Sequence, residues 1–116
     1  MSKIALVNPY IFPSDFRGDE EWNSNKALNY GILSIATYLS KKNVSVDIVD
    51  LQGERNPLKK FEKYLQSENP AFVGISCVSA LSYLPSLEIA KLSKQVDPEI
   101  FVGIGGQHTR FIVKEV

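Results

Sequence analysis

The sequence predicts an α/β domain: a three-layer, doubly wound parallel sheet with strand order 2-1-3-4. Three observations carry this. The runs Lys3–Asn8, Phe72–Val78 and Ile100–Ile104 are largely continuous in apolar character instead of alternating, as strands covered on both faces are. Stretches with apolar residues at helical spacing separate these runs, so strands and helices alternate along the chain. Alternating units of this length, joined by right-handed crossovers, close into an open parallel sheet with helices on both sides.

The first strand, Lys3–Asn8, stops at Pro9. From Pro9 to Asn29 the composition turns to Pro, Asp, Glu, Asn, Ser and aromatics without a sustained period, which predicts a loop of about twenty residues; ordered loops of that length are more often functional than idle. Ile32, Ile35, Ala36 and Leu39 then recur at i, i+3, i+4, i+7, predicting an amphipathic helix with those four on its buried face, ending near Lys41-Lys42-Asn43. Val44–Asp50 alternates like a strand with one wetter face, hence an edge. Asn56-Pro57 is a helix start, with Asn as side-chain cap and Pro where no amide is needed; Leu58, Phe61 and Leu65 mark the buried face. After Phe72–Val78 comes a Ser-rich turn, in which Ser82 is the expected cap, and a helix through Leu87, Ile89, Leu92 and Val96. Ile100–Ile104 ends in Gly105-Gly106, and Gln107–Val116 begins a further helix. This is a flavodoxin-like order whose fifth strand is missing.

Composition bounds the function. The 116 residues hold 13 Lys+Arg against 13 Asp+Glu, so broad electrostatic capture of nucleic acid is excluded. Cys77 is the single cysteine, which rules out an internal disulfide framework or a metal site built on several thiolates of this chain. No apolar run approaches the roughly 20 residues of a membrane span, and the N-terminus is too quickly interrupted by Pro9 for a signal peptide, so no membrane partner and a reducing, cytoplasmic setting are expected. Residues 1–116 read as one domain.

In a 2-1-3-4 sheet ligands bind beyond the carboxyl ends of the strands, where strands 1 and 3 send their chains to opposite faces. The segments after Asn8, Cys77 and Ile104 therefore matter most. A dinucleotide site needs glycines after the first strand, and here that turn reads Asn8-Pro9-Tyr10-Ile11-Phe12-Pro13. A receiver domain would need an acidic pair there and an aspartate ending strand 3, and a flavodoxin would need a Ser/Thr-rich loop; neither is present. What remains is a Pro- and aromatic-containing loop after strand 1, Gly-Ile-Ser near the end of strand 3 and Gly-Gly after strand 4. Gly74, Gly103, Gly105 and Gly106 are read as places where a ligand or neighbouring element lies against backbone.

With those features in place, the sequence resembles the N-terminal cobalamin-binding domain of cobalamin-dependent radical SAM proteins. The resemblance rests on Lys3–Pro9, Tyr30–Leu39, Val46–Asp50, Val73–Cys77, Leu87–Lys91 and Gly105–His108, which follow the family's order over nearly the whole chain. It implies a cobalamin-binding module that positions the corrinoid for a radical SAM barrel, which would carry the iron-sulfur cluster and S-adenosylmethionine in the same parent protein and perform methyl transfer or related radical chemistry. It places the corrin ring on the carboxyl ends of the strands and the nucleotide tail near strands 3 and 4. The cofactor-binding residues it implies are Asn8, Pro9, Tyr10, Ser76, Cys77, Val78, Ser79, Gly105, Gly106, Gln107 and His108, with Ser76 bonded to the tail and Gly105-Gly106 leaving room for it. The wider family carries Asp-x-His-x-x-Gly after strand 1; this chain does not, so a base-off cobalamin without a protein histidine on cobalt is expected. The alternative is a protein-interaction domain of the same fold that has lost the cofactor.

Several residues admit two readings. His108, the only histidine, is read as a hydrogen-bonding residue before a cobalt ligand. Cys77 is read as a small buried hydrophobe before a reactive thiol. Tyr10, Phe12 and Trp22 either cover the lower face of a macrocycle or anchor the loop. No catalytic residues and no protein-held metal are expected in this chain. Its fully apolar fourth strand would be left as an edge, which predicts either a longer parent protein or a homodimer through strand 4 or the C-terminal segment.

Overall fold

The computed structural model describes residues 3–10, 30–77 and 82–106. Its elements are β1 (Lys3–Asn8), α1 (Tyr30–Lys41), β2 (Ser45–Asp50), α2 (Pro57–Glu68), β3 (Phe72–Ser76), α3 (Tyr83–Val96) and β4 (Phe101–Gly105). The four strands form one sheet in the order β2-β1-β3-β4, and every pairing is parallel. The expected fold class and strand order are those observed.

Strand limits move by one or two residues for local reasons. Val44 donates its N–H to Leu39 O at 3.0 Å, closing the end of α1 after Asn43 turns through φ 61°, so β2 begins at Ser45. Ile100 donates to Asp97 O at 3.1 Å, which delays β4 to Phe101. β3 ends at Ser76; Cys77 still donates to Gly105 O at 2.6 Å, and Val78 lies outside the described residues.

β1 lies between β2 and β3, so both of its edges are hydrogen-bonded. Ala5 and Val7 point to one side with Val49, Val73 and Ile75, where they meet Phe61 and Leu65 of α2 and Ile89 of α3 in the main core. α3 comes close to this face because Ser86 and Ser93 lie fully buried on the same stripe as Ile89. Their hydroxyls donate back to Ser82 O at 2.7 Å and Ile89 O at 2.8 Å, so no polar group is stranded by the close packing. Of the apolar residues that the sequence places on this helix, Ile89 is fully buried, while Leu87, Leu92 and Val96 are half-buried.

Two caps differ from expectation. Asn56 precedes α2 and Pro57 starts it, yet the Asn56 side chain makes no cap hydrogen bond; its carbonyl accepts from Lys60 N at 3.0 Å. Ser82 likewise makes no side-chain cap bond, and its hydroxyl faces the Cys77 sulfur at 4.0 Å inside the domain.

α1 covers the other face of the sheet, packing on β1 and β2. Of its four expected core residues, Ile32 is buried, Ala36 and Leu39 are half-buried and Ile35 is 51% exposed. The reason is that α1 spans only part of the sheet, and its Ile35 side looks toward the strands it does not cover.

A polar cluster ties the amino ends of the strands to α2. Lys3 Nζ lies 2.6 Å from Glu68 Oε1 and 3.2 Å from Asp47 Oδ2, and the Tyr64 hydroxyl donates to Asp47 Oδ2 at 2.8 Å. The hydrogen bonds to Glu68 and Asp47 raise the Lys3 ammonium above its ordinary 10.5, while the bond from Lys3 holds the Glu68 carboxyl below its ordinary 4.5. Each shift favours the charged form, so the pair stabilises the fold between these two limits and its contribution disappears outside them. Replacing Lys3 by Met is expected to lower the urea midpoint at neutral pH. The difference from the parent should vanish as acid protonates Glu68 and as alkali neutralises Lys3, read from urea titrations across pH. Phe61→Ala, which empties the centre of the main core, is expected to cost about 3–5 kcal/mol in the same assay.

Candidate functional site

All four strands point the same way, so their carboxyl ends share one edge. At that edge β1 hands the chain toward α1 on one face, while β3 hands it to α3 on the other, the arrangement that opens a crevice in sheets of this order.

Next to this crevice, on the α1 face, a cleft of about 760 Å³ runs between α1 and the part of the sheet that α1 leaves bare. That size lies within the roughly 300–1,000 Å³ typical of small-molecule sites. Ile4 and Leu6 of β1, and Ile32, Ile35 and Leu39 of α1, form one wall. The floor comes from β3 and β4, whose sequences are Phe72-Val73-Gly74-Ile75-Ser76 and Phe101-Val102-Gly103-Ile104-Gly105. Their register sets Phe72 beside Phe101, Gly74 beside Gly103 and Ser76 beside Gly105. With side chains alternating across a strand, these six positions share the cleft face. The floor therefore carries aromatic side chains at its amino end, glycines in the middle and an open carboxyl edge.

The four glycines that the sequence groups together serve three different purposes. A Cβ on Gly74 would meet Leu6 and Phe72 side-chain carbons, each at 3.1 Å, and one on Gly103 would meet Phe72 Cζ at 3.2 Å. The space they leave is thus taken by the protein's own Phe72 ring, which stacks on Phe101 with centroids 5.7 Å apart. Gly105 is different: a Cβ there meets nothing within 4 Å. Gly106 has φ +123°, and a Cβ would clash with the Cys77 carbonyl oxygen, so backbone conformation and the close approach of the β3 end both demand glycine. Of these four, only Gly105 presents bare backbone to open space.

The remaining candidate residues fall into distinct places. Ser76 and Gly105 flank the mouth of the cleft, and Gly106 lies beside them. Asn8 is buried at the end of β1, where its side-chain amide donates to Asp50 Oδ1 at 3.2 Å; Asp50 also accepts from Gln52 N at 3.0 Å, so that carboxylate holds the turn after β2. Pro9 is buried. Tyr10 lies on the opposite side of the sheet from the cleft, packed in the main core, with its hydroxyl donating to Glu88 of α3. Burial pushes the Tyr10 phenol up, and the Glu88 carboxylate adds to the effect, so it stays protonated and keeps donating. Of the two readings of Tyr10, its geometry is that of an anchor. Cys77 is fully buried. Phe12, Trp22, Val78, Ser79, Gln107 and His108 lie outside the described residues.

The residues that sequence reasoning missed are the apolar walls and, above all, Phe72. The signal was present as the near-repeat Phe-Val-Gly-Ile-Ser and Phe-Val-Gly-Ile-Gly, whose period of two shows that Phe and Gly share one face.

The fold is an α/β domain of the doubly wound class, with a candidate site at the carboxyl edge of the sheet. The model of the B12 binding domain family matches residues 24–116, most of the chain, and the protein belongs to that family. β1, the central strand, precedes the matched stretch. Nothing matches among the curated proteins or the solved structures. Cobalamin as ligand is supported by this membership, and the site suits it: a slim apolar cleft, a hydroxyl at its mouth and one glycine with space above it. Among the described residues no group of His, Cys, Asp or Glu is placed to hold a metal ion, and no helix is long and apolar enough to cross a membrane.

Because Gly105 and Gly106 differ in kind, the same substitution at each should separate them without any ligand. Gly105→Val is expected to leave the thermal midpoint close to that of the parent. Gly106→Val forces a branched side chain into positive φ and against the Cys77 carbonyl, and should destabilise by at least about 2 kcal/mol. Thermal and urea unfolding of the two variants check this.

Proposed function

We propose that this chain is a cobalamin-binding module that presents the corrinoid to a radical SAM domain of the same parent protein. Membership of the B12 binding domain family supports the cofactor, and the ordered resemblance of the sequence to cobalamin-dependent radical SAM proteins supports the partner. The observation that carries the reading is the cleft beside Ser76 and Gly105, the one stretch of floor where bare backbone meets open space.

In this reading the nucleotide tail of cobalamin enters the cleft along the cleft face of β3 and β4. Ser76 meets a polar atom of the tail, and the aliphatic wall from β1 and α1 excludes water from it. The corrin ring rests on the carboxyl edge of the strands near Asn8 and Gly106. Cobalamin supplies a cobalt centre that carries a methyl or other group. What this chain adds is position. Tyr10, tied to α3 through Glu88, sets where the chain leaves β1, and the Asn8–Asp50–Gln52 bonds brace the neighbouring end of β2. The iron-sulfur cluster and S-adenosylmethionine belong to the partner domain. The sole histidine of the sequence, His108, follows β4 instead of β1, in keeping with a base-off cobalamin that has no protein ligand on cobalt.

Titration with hydroxocobalamin, followed by visible absorbance, tests the reading. Binding with a base-off spectrum is the expected outcome, unchanged in His108→Ala. Gly105→Val should weaken binding at least about tenfold, because a branched side chain would fill the space over the backbone. No binding by the folded parent would favour the cofactor-free interaction domain. A histidine-ligated spectrum that disappears in His108→Ala would overturn the axial assignment.

A further inference from the structure

The cleft described above has an amino end as well as a mouth, and Phe72, paired in register with Ile4 of β1, stands at that end. The Phe72 ring leans across both central glycines of the floor, within 3.1 Å of where a Gly74 Cβ would stand and 3.2 Å of the corresponding point on Gly103. The same ring stacks on Phe101, with planes 15° apart. Phe72 is half-buried and lines the cleft, while its neighbour Phe101 is 68% exposed and lies outside the lining. Along the rest of the cleft, Ser76 is the only described lining residue whose side chain carries a nitrogen or oxygen atom. Ser76 sits at the carboxyl end, two strand positions beyond Gly74, and the deep part is hydrocarbon.

We infer that Phe72 is a specificity-determining residue, closing the deep end of the cleft so that it selects a flat apolar ring over a ring bearing amino groups. The inference rests on the cobalamin reading, in which the inserted group is the base at the end of the nucleotide tail. A ring substituted with methyl groups gains by leaving water for these walls. A ring with an exocyclic amine and additional ring nitrogens gives up hydrogen bonds to water, and at the deep end no described residue offers a side-chain partner in return. Phe72 enforces the difference by keeping water from the far end. Its removal joins the cleft to solvent and lets an amine stay hydrated.

Three corrinoids that share the corrin ring test this: hydroxocobalamin with its dimethylbenzimidazole base, the analogue with adenine as the base, and cobinamide, which has no nucleotide tail. Dissociation constants come from absorbance titrations, with circular dichroism confirming that each variant is folded. The parent protein is expected to bind the dimethylbenzimidazole form at least about tenfold more tightly than the adenine form. Phe72→Ala should reduce that ratio to about threefold or less, and Phe72→Leu, which returns hydrocarbon to the same place, should restore part of it. Equal affinity of the parent for the two tailed corrinoids overturns the inference while leaving cobalamin binding intact. A ratio that persists undiminished in Phe72→Ala overturns the role of Phe72. Failure of all three, cobinamide included, overturns the cobalamin reading and this inference with it.

Discussion

The Phe72 ring lying over Gly74 and Gly103 is the contact on which the cleft depends. It exists because β3 and β4 pair in parallel and in register, with phenylalanine beside phenylalanine and glycine beside glycine. Were the register shifted by one residue, Val102 and Ile104 would turn to this face and fill it. In the observed register those residues go to the α2–α3 side, where they pack on the main core. The same alternation that builds a dense core on one side of β3 and β4 thus leaves a shallow, glycine-floored surface on the other.

The two faces of the sheet are consequently unequal. On the α2–α3 side, Phe61, Leu65 and Ile89 are buried without remainder, and two serines on α3 allow the helix to approach while satisfying their own hydroxyls. On the α1 side a single described helix spans β1 and β2, and Ile35 and Phe101 keep large exposed surfaces. Apolar surface left at a cleft is available to a ligand, whose burial then adds to the stability of the bound protein. In the proposed reading, stability and binding are therefore divided between the two faces. The residues that brace the carboxyl edge, Tyr10 with Glu88 and Asn8 with Asp50, connect them.

Much of the fold was legible because its signals are local. Near-continuous apolar runs, helical spacing and Pro at a helix start identify each element without knowledge of its neighbours. Strand order followed from the crossover rule. The caps were less legible: Asn56 and Ser82 are residue types suited to capping, but whether a side chain turns to the helix amides or to the interior depends on what surrounds it. At Ser82 the buried Cys77 sulfur lies 4.0 Å away, a neighbour that folding supplies.

For the site, the sequence by itself determined its composition: glycines and a serine at the ends of β3 and β4, no phosphate-binding loop after β1, no cluster of cysteines, and an ordered set of motifs that resembles cobalamin-binding domains. Tertiary structure decided what each residue does. It assigned Gly74 and Gly103 to the Phe72 ring, Gly106 to a left-handed turn against Cys77, and Gly105 alone to open space. It moved Ile35 from core to cleft wall and set Tyr10, for which the sequence left two readings open, in the core on the opposite face. The physical reason is the same in each case. A missing side chain creates space only relative to the atoms that stand opposite it, and those atoms come from strands and helices distant in sequence, brought there by the pairing of the sheet.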